Sequence, residues 1–268
     1  MYRRRTLETF LAKAARQFPV LLVTGARQVG KTTFLRRLSG ARRTYVSLDD
    51  PMVLTLARED PALFFQRFRA PLLIDEIQYA PGLLPYVKME VDRNRTPGSY
   101  WLTGSQPFHV MKGVSESLAG RVGVVQLLGL SRKEWAGRSR ESRPFLPTPT
   151  EIRNRTRAGE RLPVKELYRL IWRGAFPMIA LNGKTDRDLF YASYVQTYLQ
   201  RDIRDLARVG DGMSFLRFLR AAAARTGQLL NLSELARDAD IAVTTAKNWL
   251  SILQGSGVAY LLEPFHTN

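Results

Sequence analysis

The amino-acid sequence predicts an α/β fold in which a five-stranded, mostly parallel sheet is followed by an all-α region. Three observations carry this. Short apolar runs alternate with helical patterns as far as Leu130, the order that builds a parallel sheet covered on both faces. The stretch "PLLID" ending at Asp75 is apolar almost throughout, as a strand buried on both sides must be. From Val164 the pattern is helical.

The elements follow in order. Residues 6–17 read as an amphipathic helix, with apolar and charged residues on opposite faces. Strands are expected at 20–25 ("VLLVTG"), 44–48 ("TYVSL"), 72–75 ("LLID"), 100–104 ("YWLTG") and 122–128 ("VGVVQLL"). Helices are expected near 31–39, 51–67, 81–94 and 109–118. Asp49 and Asp50 precede Pro51, and an acid before proline is a good helix start. After Leu130 the texture changes. The stretch "RSRESRPFLPTPTEIRNRTRAGERLP" is rich in Arg, Pro, Ser and Thr and reads as a long loop.

These patterns divide the chain into an α/β domain (1–130), a basic linker (131–163) and a helical region (164–268). The end of the last region, 229–265, has a winged-helix-like layout. One helix runs from Leu232 to Ala239 with Ser233 as cap, and a second from Val243 to Gln254. "VAYLLEPF" then forms the wing strand. Thr244, Thr245, Lys247 and Asn248 open the second helix, where such modules contact DNA. In "WRGAFP" a tight turn is expected at Gly174, with Trp172 and Phe176 packed beside it.

Composition narrows the function classes. There are no cysteines, which excludes disulfides and thiolate zinc sites and fits a cytoplasmic protein. With only two histidines, a zinc site of any kind is not expected. No stretch reaches the roughly 18 apolar residues of a membrane helix, so no membrane role is expected. Net charge is +17, which makes nucleic acid a candidate partner. Residues 1–43 carry eleven Lys/Arg against one Glu, and residues 131–165 carry ten against four. Residues 229–268 carry two against four acids, which argues against DNA reading by the last helices.

The most specific signal is "GARQVGKT", from Gly25 to Thr32, which satisfies G-x-x-x-x-G-K-[ST] between an apolar strand and a helix. Glycines let the backbone close around phosphate. Main-chain amides of the loop, including Gln28, Val29, Gly30 and Thr33, then face the anion at the positive end of a helix. Lys31 is expected on the β/γ-phosphates of ATP, the Thr32 hydroxyl on Mg²⁺ and Thr33 near the α-phosphate.

Two carboxylates, Asp75 and Glu76, close the later strand at the sheet edge where ligands bind. Asp75 is expected to help hold Mg²⁺, and Glu76 to act as base toward the attacking water. Thr103, Ser105 and Gln106 end the next strand as candidates for positioning that water. A small-molecule kinase needs no water-activating glutamate, so Glu76 favours hydrolysis.

The motifs "TGARQVGKTT", "LLIDEIQ", "LTGSQ" and "SLAGRV" together resemble a prokaryotic family of AAA-type P-loop NTPases. "RGAFP", "YVQTYLQRDI" and "YLLEPF" resemble the DUF4143-type region that follows the ATPase domain in that family. The resemblance implies an ATPase core, a winged-helix-like segment behind it, and a nuclease-like part that would lie beyond Asn268. It also makes Arg121, in "LAGRV", a candidate phosphate-sensing arginine acting within the subunit or on a neighbour. The plain alternative is a surface arginine at a strand start. The expected function is Mg²⁺-dependent ATP hydrolysis that drives or gates a change in the helical region. The alternative is a nucleotide-gated DNA-binding or regulatory module in which hydrolysis is incidental. A second copy of the chain is a further candidate partner.

Overall fold

The computed structural model describes residues 2–41, 43–104, 113–114, 116–159, 161–198 and 212–264. Five strands form one sheet: β1 (Val20–Thr24), β2 (Thr44–Ser47), β3 (Leu72–Asp75), β4 (Tyr100–Gly104) and β5 (Val122–Gln126). Their order is β2-β3-β4-β1-β5, and every pairing is parallel. Thr24 of β1 lies level with Gly104 and Gln126, and Ser47 with Asp75. All five carboxyl ends therefore share one edge, where a ligand site is expected.

Alternation along the strands explains why both faces are covered. Val20, Leu22, Leu72, Ile74 and Leu102 point into one core. There they meet Ala57 of α3 (Pro51–Glu59), Phe64 of α4 (Pro61–Arg67) and Val87 of α5 (Leu83–Arg93). Leu21, Val23, Leu73 and Trp101 point the other way, onto Leu11 of α1 (Glu8–Ala14) and Phe34 of α2 (Lys31–Ser39). Successive strand residues face opposite sides, so a strand buried twice must be apolar at every position.

The helix expected over 51–67 is two helices. Pro61 has no N–H to continue the ladder and restricts Asp60 before it. Asp60 turns out of helical geometry and caps α4 by accepting from Leu63 N at 2.8 Å. Asp50 caps α3 by accepting from Met52 N and Val53 N. The expected helix at 109–118 lies largely outside the described residues.

The stretch 131–163 carries more structure than its composition suggested. It holds α6 (Arg132–Trp135), a 3-10 turn at Ser139–Glu141 and α7 (Pro149–Ala158). A Ser131/Glu134 capping box starts α6, and Thr148 caps α7. The helical region continues with α8 (Val164–Arg173), α9 (Pro177–Leu181), α10 (Arg187–Tyr198), α11 (Gly212–Ala224), α12 (Leu232–Ala239) and α13 (Val243–Gly255). Its own core centres on Phe215, Phe218 and Trp249, whose rings lie 5.0–5.9 Å apart.

Three expectations here are corrected. The cap of α12 is Asn231, not Ser233, because the Asn231 side-chain Oδ1 accepts from both Ser233 N and Glu234 N. Residues 258–264 form no strand, so the wing is absent among the described residues; no neighbouring strand pairs with this stretch. Trp172 is 59% exposed rather than packed, with the Arg187 guanidinium 4.0 Å from its ring centroid. The turn at Gly174 is as expected: its φ is 82°, and a Cβ would lie 1.9 Å from the Tyr191 hydroxyl.

Candidate functional site

The loop between β1 and α2 is built so that only certain residues fit. Gly25 has φ 144°, and a Cβ there would lie 2.2 Å from the Leu127 carbonyl oxygen. Gly30, at φ 92°, is the residue before α2. Gln28 also adopts positive φ, at 61°. Positive φ at these three positions winds the chain tightly just before α2, the place where a helix start can bind an anion. Lys31 is buried, and its ammonium donates to the carbonyls of Gly25 (3.0 Å) and Ala26 (3.1 Å). The charge is thus held over the loop rather than released to solvent.

Asp75, at the end of β3, faces the start of α2. The Thr32 hydroxyl lies 3.0 and 2.9 Å from its two oxygens. Tyr45 Oη donates to Oδ2 at 3.0 Å, and the Thr103 hydroxyl donates to Oδ1. Thr32 and Asp75 together offer hard oxygen donors within one hydrogen bond of each other, the chemistry that suits Mg²⁺. Among the described residues no group of three or more His, Cys, Asp or Glu could hold a metal, so a cation here would draw the rest of its shell from phosphate and water. The Tyr45 hydroxyl is pushed above its ordinary pKa, first by burial and then by the Asp75 carboxylate, so it stays a donor.

Glu76 follows in left-handed geometry, φ 58°. A non-glycine residue held there costs of order 1–3 kcal/mol and is kept only where the surroundings impose it. Here Glu76 N donates to Thr103 Oγ1 at 3.0 Å, and Gln78 Nε2 donates to Glu76 Oε2. Gln78 Oε1 is buried with no hydrogen-bond partner. Thr103 therefore ties Asp75 to the Glu76 backbone. Ser105 and Gln106 lie outside the described residues.

Arg121 is not brought to this edge. It precedes β5, and its carbonyl accepts from Val20 N at the start of β1. That is the amino edge of a parallel sheet, opposite the loop. Its guanidinium makes a two-pronged pair with Asp92, at 2.6 and 3.0 Å. Within one chain, the sheet's own length separates it from Lys31.

Several neighbours of the loop were not anticipated. Arg5 is buried and donates to Val29 O at 3.0 Å, to Gly129 O at 3.1 Å and to Leu128 O. Its Nε lies 3.3 Å from Glu134 Oε1. Glu134 accepts in turn from Thr6 N and Ser131 N. Burial opposes ionisation of Glu134, but those two amides and the Arg5 charge outweigh it and hold its carboxyl below the ordinary value. No short-range pattern links positions so far apart in sequence. Tyr45 pairs with Leu73, on the same strand face as Asp75, and its side chain spans the two residues to the carboxylate.

The helical region also touches the loop. A Cβ on Gly257, in the turn after α13, would lie 3.6 Å from Ala26 N. Pro177 Cγ is the nearest atom to the Cβ position of Gly30, at 4.0 Å. Phe176 packs against both the α2-side core and the helical core, and Leu130 N donates to Ala175 O at 2.8 Å. Thr32 and Thr33 line a cavity of about 370 Å³ with Tyr2, Arg36 and Arg37.

Residues 17–136 match the AAA domain family, and residues 164–268 match a domain of unknown function, DUF8612. The second match stands where the resemblance implied a DUF4143-type region. Uncharacterized proteins of Mycobacterium bovis and Mycobacterium tuberculosis are each 32% identical over 266 residues, covering 99% of this chain and 54% of the relative. The chain thus spans about half the length of the curated relatives it matches. Among solved structures, a Walker-type ATPase of Pyrococcus abyssi aligns at 13% identity and TM-score 0.48, over 93% of this chain and 96% of that one. The Thermotoga maritima RuvB Holliday junction branch migration motor aligns at 18% and TM-score 0.38, over 93% and 85%.

Proposed function

With residues 17–136 matched to the AAA domain family and carrying a phosphate loop on a parallel sheet, we propose that this chain is a Mg²⁺-dependent ATPase whose nucleotide state moves its helical region. One observation carries the reading: the Thr32 hydroxyl and the Asp75 carboxylate, from different elements, meet within 3.0 Å beside the Lys31 loop.

The roles follow from the chemistry. Amides of residues 28–33 and the Lys31 ammonium bind the β- and γ-phosphates, which releases Lys31 from the Gly25 and Ala26 carbonyls. Thr32 and Asp75 would hold Mg²⁺, which when bound neutralises charge on the phosphates. Glu76 takes a proton from the attacking water, and Gln78 fixes the orientation of its carboxylate. The cavity beside Thr33 receives the ribose and base, with the Tyr2 ring as a stacking surface. Arg121 faces away from its own loop, so it has no part in hydrolysis within its own subunit.

Gating is supported by proximity. Ala26 and Gly30 both neighbour the helical region, through Gly257 and Pro177. Any change in the loop on gripping a triphosphate must be accommodated there, and packed interfaces respond by switching rather than stretching. The test is phosphate release by the purified chain with no added substrate. Wild-type turnover that survives Glu76→Gln unchanged would remove the assigned base.

A further inference from the structure

Between α6 and α7 lies an open groove of about 660 Å³, remote from the phosphate loop in sequence. Five cations line it: Arg132, Lys133, Arg138, Arg143 and Arg155. Two carboxylates share the lining, Glu141 and Glu151. They pair locally, Arg138 with Glu141 at 2.6 Å and Arg155 with Glu151 at 2.7 Å. Five positive charges against two negative still leave the groove net positive by three.

The helix forming one wall is unusual. α7 has no buried residue, and an isolated ten-residue helix is marginal in water. It is held by its Thr148 cap and by Arg155, which donates to the carbonyls of Arg143 and Pro144. Arg153 and Arg157 add two more exposed charges on the same helix. Eight of the ten cations between 131 and 165 are arginine, whose planar fork matches phosphate oxygens in pairs. At the rim Phe145 is 55% exposed, with the Arg155 guanidinium 4.8 Å from its ring centroid.

From these features we propose that the α6–α7 groove binds the phosphodiester backbone of a single nucleic-acid strand, with Phe145 as a stacking platform for a base. Charge complementarity names the backbone, and the exposed aromatic beside guanidinium groups names an unpaired strand, whose bases are free to stack. The proposal does not rest on nucleotide binding.

The test is fluorescence anisotropy of the whole chain with a labelled oligothymidylate of about 16 nucleotides, across a salt series. The variant is Arg132→Gln/Lys133→Gln/Arg143→Gln, which removes three cations of the lining and spares the Thr148 cap and the Arg155 bonds that hold α7 to its neighbours. Each phosphate that the protein no longer neutralises reduces the slope of log K against log salt by about 0.7 for a single strand. We expect the triple variant to flatten that slope by about 2 and to weaken binding at least tenfold. Phe145→Ala should weaken binding several-fold with the slope unchanged, which separates stacking from charge. An RNA strand of equal length should compete, and a duplex should compete poorly. The proposal is overturned if the triple variant binds with wild-type affinity and slope, or if no strand binds at low salt. Binding to phosphatidylserine vesicles with none to either strand would also overturn it.

Discussion

At the residue scale, the site rests on side chains that each answer a local problem. Gly25 is required because a Cβ would sit 2.2 Å from a backbone carbonyl that the strand order fixes. Gly25→Ala should therefore destabilise the chain by roughly 1–3 kcal/mol and reduce nucleotide affinity; denaturant unfolding and titration with ATP read the two effects. Lys31 and Glu76 act at different stages and should separate. Lys31→Ala is expected to abolish nucleotide binding. Glu76→Gln should keep binding within a few-fold and lose turnover by about 10²–10⁴. Gln78 belongs with Glu76. Gln78→Ala frees the carboxylate that its amide holds, so kcat should fall while KM stays near wild type. Gln78→Glu, of similar size but charged, should not restore it.

At the element scale, the amino-terminal segment is bolted to the back of the phosphate loop by Arg5 and Glu134. Removing one partner of a buried pair costs about 3–5 kcal/mol, because the other charge stays behind. Glu134→Gln should lower the melting temperature at neutral pH. The sign of its pH dependence follows from the lowered carboxyl. The folded state holds Glu134 ionised below the ordinary pKa of 4.5, so its contribution is complete above that value and is lost as pH falls through the lowered one. The gap between wild type and variant should narrow on acidification; a constant gap would mean that the ionised carboxylate contributes nothing. Elements also mark what was legible in advance. β1, the loop and α2 were readable because apolar run, glycine spacing and helix start agree. The position of Arg121 follows from a simple rule, since a residue opening a parallel strand lies opposite the carboxyl edge. The split at Pro61 was announced by Asp60-Pro61. The helices of 131–163 are masked by a composition in which arginine and proline dominate, although Ser131 and Glu134 stand at the spacing of a capping box. The Arg5–Glu134 link had no signal in any window of the sequence.

At the scale of the whole molecule, an α/β domain and a helical region share a boundary that includes the phosphate loop itself. Phe176 belongs to both cores, and Gly257 and Pro177 lie against Ala26 and Gly30. Coupling therefore requires no long relay. Amide hydrogen exchange should show ATP protecting residues around 175–180 and 255–259 as well as the loop, and Lys31→Ala should remove both effects together. The basic groove on 131–163 adds a second surface to the molecule, positive where the segment from 229 to 268 carries more acids than bases. No helix among the described residues is long and apolar enough to cross a membrane.

Whether positions 25–33 grip a triphosphate is read most directly by calorimetric titration of the chain with ATP, with and without Mg²⁺. We expect saturable heat, tighter binding with Mg²⁺ than without, and loss of the Mg²⁺ advantage in Asp75→Asn. At one hundred times Kd the bound ligand should stabilise the fold by about 2.7 kcal/mol, visible as a raised melting temperature. Titrations giving neither heat nor a shift in melting, or an Asp75→Asn variant that keeps the full Mg²⁺ dependence, would contradict it.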